Sequence, residues 1–301
     1  MKPTRLFILT LVAMIAFAGN SLLCRLALKQ TAIDAASFTF IRIFSGAVAL
    51  WLIVKMRKGA WREAGNWPSA LALFAYAAGF SFAYVNLSAG TGALLLFGAV
   101  QATMILCGLR KGERLRARQL LGLGLALTGL VALLFPGLSA PPLSGSILML
   151  GAGVAWGIYS LRGRAVGDPA TATAGNFLRA VPLAAALSIT LLPWARLDRA
   201  GIAYAALSGA IASGAGYVIW YTALPGLKAA SAATVQLSVP VLAAAGGILL
   251  LGEPLTLRFL FASMAVLGGI ALVVISPFRR DAETSERNGR VTEPSTRKSA
   301  R

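Results

Sequence analysis

The chain has 301 residues, a net charge of +18, a mean hydropathy of +0.76 and 57% hydrophobic residues, where a soluble domain has about 45–50%. Such a basic balance in a soluble protein would point to nucleic acid, but the Lys and Arg residues here lie between apolar blocks and at the ends, as topology signals, so no nucleic-acid partner is expected. There is no His, which removes His-ligated metals, His triads and His proton relays, and Cys24 and Cys107 lack metal-ligand spacing; no metal and no cofactor is expected.

The apolar blocks are roughly 17–25 residues long, enough to cross about 30 Å of hydrocarbon as a helix. Only helices and closed barrels satisfy their backbone in lipid, and the blocks lack the period-two alternation of barrel strands. In chain order they predict ten membrane helices: Leu6–Cys24, Ala36–Val54, Ser69–Leu87, Gly92–Leu109, Gln119–Phe135, Gly145–Leu161, Ala174–Trp194, Ala200–Tyr221, Ala230–Leu251 and Leu257–Ile275. Lys2, Arg5 and the Ala16-Phe17-Ala18 run give the first span some features of a signal peptide. Apolar sequence continues past Ala18, and the span has a counterpart later in the chain, so a retained helix is expected.

That counterpart belongs to an internal repeat. Phe40–Leu50 aligns with Phe177–Leu187, placing Arg42 on Arg179 at a shift of 137. Gly112-Glu113-Arg114-Leu115 aligns with Gly252-Glu253-Pro254-Leu255 at a shift of 140, and Gly19 with Gly157 at 138. The expected fold is an all-α integral membrane protein of ten helices in two inverted five-helix repeats, residues 1–137 and 143–276, followed by a basic disordered tail, 277–301. An odd number of spans per half inverts the second relative to the first, an arrangement common in transporters.

Taking the N-terminus as inside, 21 Lys and Arg residues fall on inner segments and 5 (Arg25, Lys29, Arg196, Arg199 and Arg258) on outer loops. This bias places both termini in the cytoplasm, in a multi-pass protein of the inner membrane.

Arg42 and Arg179 each fall about a third of the way into a span. A charge at that depth costs a few kcal/mol and faces a cavity or a partner. One reading is a pair of cationic groups beside the path of an anionic solute; the other is snorkelling, or contact with backbone carbonyls. No Asp or Glu lies at mid-span, so coupling through a midmembrane carboxylate has no support. Glu113 and Glu253 suit a capping role at the fifth and tenth helices. Further candidates for the solute path are Tyr76, Tyr84, Gln101, Trp156, Tyr159, Tyr217, Trp220, Tyr221 and Gln236. Trp156 with Tyr159, and Tyr217 with Tyr221, share helix faces and could clamp a flat or amphipathic solute. Asn20, Ser21, Ser81, Asn86, Asn176 and Ser238 add polar groups to the same helices. Trp61, Trp67 and Trp194 read as interface anchors.

The repeated Gly-Glu-x-Leu turns, the Phe-x-Arg element in the second helix of each half, Trp156-Gly157, and Pro240 upstream of Gly252-Glu253-Pro254-Leu255 together resemble the EamA family of the drug/metabolite transporter superfamily. The resemblance covers about residues 5–276. It implies a helix bundle around a central cavity lined by helices three, four, eight and nine, and export of amino acids or other small metabolites. The expected function is therefore transport rather than catalysis, with the lipid bilayer and a small-molecule substrate as partners. A membrane-embedded lipid-modifying enzyme built on Asp34, Asp168 or Asp198, and a non-transporting assembly subunit, are the alternatives.

Overall fold

A computed structural model describes residues 2–57, 64–110, 116–135, 137, 140–163, 168–227, 232 and 235–275. Glu113, Trp61 and the basic tail lie outside the described residues. The described residues form helices and no strand. In chain order these are α1 (Pro3–Gln30), α2 (Ala35–Met56), α3 (Trp67–Tyr84), α4 (Ala89–Arg110), α5 (Ala117–Leu134), α6 (Leu143–Gly163), α7 (Pro169–Thr190), α8 (Arg199–Gly226), α9 (Ser238–Leu251) and α10 (Leu257–Ile275). Eight of them are long and apolar enough to cross a membrane. The other two are α3, whose tyrosines and serines lower its hydropathy, and the 14-residue α9.

Short polar residues set the helix starts. Asp34 accepts from the backbone N–H groups of Ala36 and Ser37, Asn66 from Ser69, Asp168 from Ala170 and Thr171, and Asp198 from Gly201. Each satisfies orphan donors of a first turn, which lipid cannot do. The first helix runs past its expected end at Cys24. It therefore carries Arg25 and Lys29 inside α1, where the sequence placed them in an outer loop.

The bundle is apolar on its outside. Phe7, Leu11, Leu121, Val131, Leu249 and Phe261 are all exposed, while Asn20, Ser21, Arg42, Ser208 and Ser213 are buried. In water such a surface would be a liability; toward lipid it is the favoured face.

Close helix contacts depend on missing side chains. A Cβ on Gly122 would meet the Gly269 carbonyl of α10 at 2.5 Å, and one on Gly153 would meet the Leu96 carbonyl of α4 at the same distance. Such small-residue contacts let helices approach without a hydrophobic driving force between them. The main pairings are α5 with α10, α2 with α7, α4 with α9, α3 and α4 with α6, α1 with α8 and α9, α2 with α8, and α3 with α7.

Contacts between chain-distant residues define the two ends of the bundle. At the end where α1 begins, Arg162 of α6 donates to Asn66 and Ser69 at the start of α3. At the far end, Arg25 of α1 meets the end of α3 and the turn before α10, and Asp34 bonds Arg196.

Candidate functional site

Arg42 lies in the interior, 2% exposed. Its Nε donates to the Ser213 hydroxyl at 3.2 Å and one Nη to the Tyr76 hydroxyl at 3.0 Å. Its guanidinium also lies 4.8 Å from the Phe80 ring centroid and 5.1 Å from that of Tyr76, within cation–π range. The other Nη is buried with no hydrogen-bond partner. Among the described residues no carboxylate is within ion-pairing distance of the guanidinium.

Asn20 completes the network. Its amide donates to the Tyr76 hydroxyl at 3.1 Å, and its carbonyl accepts from the Ser208 hydroxyl at 2.7 Å. Ser208 and Ser213 come from a widened π-helical stretch, Ser208–Ala215, inside α8. Such widened turns are rare and recur at functional sites. The stretch is built of small residues and lies hard against α2: a Cβ on Gly209 would collide with the Arg42 carbonyl and the Ser45 hydroxyl.

Aromatic rings run the length of the interior through this point. Tyr84, Phe80 and Tyr76 follow one another on α3 at 4.7 and 5.3 Å between centroids. Tyr76 meets Trp156 of α6 at 4.9 Å, Trp156 meets Tyr159 at 5.5 Å, and Tyr159 meets Tyr221 at 6.5 Å. Tyr217 packs on Trp156 at 4.7 Å, and Phe17 touches Trp156, Tyr217 and Trp220.

Two cavities open onto the row, and a third lies beyond its far end. At the far end, about 180 Å³ opens between Asn86, Thr91, Ala244, Glu253 and Phe259. At the N-terminal end, about 90 Å³ opens beside Asn66, Tyr159, Arg162, Asn176 and Tyr221. At the middle, a cavity of about 10 Å³ is lined by Phe17, Asn20, Tyr76, Phe80, Trp156 and Tyr217 among others. That is room for about one water. The path is closed at its centre in this structure.

The structure thus brings Arg42, Tyr76, Trp156, Tyr217 and Trp220 together at the middle. Tyr159 and Tyr221 lie toward the N-terminal end, and Tyr84 toward the far end, where its hydroxyl bonds the Ala89 carbonyl at 3.2 Å. Gln101 lines a separate, largely apolar groove between α4, α5, α6 and α10. Gln236 is buried just before α9.

Arg179 sits apart from Arg42. It donates to the carbonyls of Ala64, in the α2–α3 connection, at 2.7 Å and of Gly175 at 3.0 Å. Two residues matched in sequence thus have different partners. Helices α1 and α6 also line the central cavity, beyond the set implied by the family resemblance, and α2 supplies Arg42 to the network beside it, while α9 contributes Ala244 and Ile248 to the far-end cavity. Phe17, Phe80 and Ser213 were absent from the sequence candidates. Phe80 had a usable signal, lying four residues from both Tyr76 and Tyr84 on one helix face.

Glu253 departs from its expected place. It accepts from the Ala89 backbone N–H at 2.8 Å, so it caps α4 rather than α10. Its other oxygen pairs with Arg25 at 3.1 Å, and Arg25 also donates to the Tyr84 and Val85 carbonyls at the end of α3. Gly252, at φ +64°, turns the chain so that the carboxylate reaches across.

An apolar exterior around a polar and aromatic interior path defines a polytopic membrane protein of transporter type. The model of the EamA-like transporter family matches twice, over residues 4–135 and 143–275, and the chain belongs to that family. It is 60% identical to an uncharacterized protein of Pseudomonas aeruginosa, over 94% of this chain and 99% of that one. It is 27% identical to an uncharacterized transporter of Archaeoglobus fulgidus, over 74% and 82% of the two chains. It is 37% identical to the threonine/homoserine exporter RhtA of Salmonella typhimurium, over 44% of this chain and 46% of that one. A crystal structure sharing 18% identity superposes with a TM-score of 0.64, over 90% of this chain and 98% of that one, which shows the fold alone.

Proposed function

We propose that this membrane transporter exports small metabolites, such as amino acids or related solutes, by alternating access between two inverted five-helix repeats, residues 1–137 and 143–276. The observation that carries the reading is the row of rings that runs from the N-terminal-end cavity toward the far-end one and crosses the Arg42 network where it is closed. A solute admitted at one end would meet a polar, aromatic centre and leave at the other. Arg42, Tyr76, Trp156, Tyr217 and Trp220 are the residues assigned to solute contact. Tyr84, Tyr159 and Tyr221 are assigned to the approaches, and Arg179 to a structural hold on the α2–α3 connection.

The helix pairings support the repeat. Exchanging each helix of the first half with its counterpart turns α3–α6 into α8–α1, α4–α6 into α9–α1 and α2–α8 into α7–α3, all of which occur. The charge bias supports both termini on the cytoplasmic side of the inner membrane. Asp34, Asp168 and Asp198 serve as helix caps, which weighs against a transferase site built on them. The partial likeness to a threonine/homoserine exporter favours amino acids among the candidate solutes.

Overexpression should raise tolerance to toxic amino-acid analogues and excretion of the matching metabolite. Arg42→Ala should abolish this, and Arg179→Ala should reduce it only as far as it lowers protein level. Unchanged efflux across a broad panel would overturn the reading.

A further inference from the structure

Resting on the exporter reading, we infer that the centre takes a carboxylate with a flat apolar or aromatic body, held by Arg42, and that an amino group on that solute is dispensable. A buried guanidinium with no countercharge is expensive to maintain. Here its described polar partners are two neutral hydroxyls, Ser213 and Tyr76, and one Nη is left without a partner. A ligand carboxylate would supply both the missing charge and the missing acceptor, as a charge-assisted bond.

The surroundings set the rest of the ligand. The cavity beside this network is walled by the rings of Phe17, Tyr76, Phe80, Trp156 and Tyr217. Rings favour a flat apolar body over a hydrated inorganic anion. No carboxylate lines the cavity to require an ammonium group, and the Asn20 carbonyl already accepts from Ser208, while the rings and the unpartnered Tyr217 hydroxyl can tolerate one. The closed centre must widen to admit the solute. The π-helical stretch that carries Ser208 and Ser213 is the irregular element placed to allow it.

The test uses three probes with one body and three head groups: 3-phenylpropanoate, L-phenylalanine and phenethylamine. Binding to the purified full chain is read by quenching of intrinsic tryptophan fluorescence, with Trp156 and Trp220 at the centre. The two carboxylates should bind with Kd values within a few-fold of each other. Phenethylamine should bind at least about tenfold weaker, the scale of one charge-assisted contact. Arg42→Gln should weaken both carboxylates by about tenfold or more and leave phenethylamine unchanged. Arg42→Lys should retain part of the carboxylate binding, which separates a charge effect from misfolding. Chloride and phosphate should not compete.

Equal binding of the amine, undiminished carboxylate binding in Arg42→Gln, competition by chloride or phosphate, or no saturable binding of either carboxylate would overturn the inference. If binding fails while overexpression still drives efflux of another solute, the exporter reading stands and this one falls.

Discussion

Arg25 and Arg42 both point their guanidinium groups into the protein, and they are satisfied in opposite ways. At the far end Arg25 has a carboxylate, Glu253, and two backbone carbonyls, and it ties α1 to the end of α3, the start of α4 and the turn before α10. At the middle Arg42 has neutral hydroxyls, ring faces and a donor to spare. The first arrangement is complete and ties the helix ends together beside the far-end cavity. The second is incomplete, with one buried nitrogen left without an acceptor. A charge kept buried without its countercharge lowers stability unless something else supplies that charge in turn. The two differ in depth as well as in pairing: Arg25 is partly exposed near the end of α1, and Arg42 is fully buried at the middle.

Breaking the complete pair should have the largest effect on stability. Glu253→Ala would leave Arg25 uncompensated and the first amide of α4 without its acceptor, a loss of about 3–5 kcal/mol. Thermal melting in detergent measures it, and the paired Arg25→Met/Glu253→Leu variant should recover most of the loss. A single mutant melting like the unaltered protein would remove the contrast.

Gly209→Val tests the framework of the centre. Its side chain would push α8 off the α2 backbone, at about 1–3 kcal/mol, and should disturb the Arg42–Ser213 bond. Melting should fall and carboxylate binding with it.

Arg42→Gln should change stability by no more than about 1 kcal/mol, because lost hydrogen bonds are offset by relief of a buried unpaired charge. A loss as large as that of Glu253→Ala would make Arg42 structural.

The smallest effect concerns Asp34, which joins the start of α2 to Arg196. Burial pushes its carboxyl pKa up, but hydrogen bonds from Ser37, Arg196 and Ala36 outweigh that and hold it below the ordinary aspartate value. A carboxyl depressed in the folded state stabilises above its unfolded value and loses that stabilisation as pH falls through the folded one. Acid melting below about pH 3.8 should therefore be slightly shallower in Asp34→Asn. Identical acid profiles would show that the strap contributes nothing.

The order of the apolar helices, the depth of Arg42 and the aromatic spacings on α3 and α6 could be read from the sequence, because each is a local pattern, whereas the lengths of α1 and α9 differ from the expected spans. The partners could not. Arg42 and Arg179 align at one shift, yet one meets Ser213 and Tyr76 and the other meets Ala64 and Gly175. Glu253 caps a helix 164 positions away, where sequence spacing points to the next helix. Arg25 read as a loop charge because hydropathy falls before the helix ends. The widening at 208–215 left only a run of small residues, which is equally what close packing requires.

The most direct test of Arg42 as the working centre is exchange of labelled 3-phenylpropanoate across proteoliposomes holding the unaltered protein, Arg42→Lys or Arg42→Gln. The expected result is saturable exchange by the unaltered protein, a reduced rate in Arg42→Lys, and background in Arg42→Gln with melting preserved. Equal rates in Arg42→Gln and the unaltered protein, or no exchange by the latter, would contradict it.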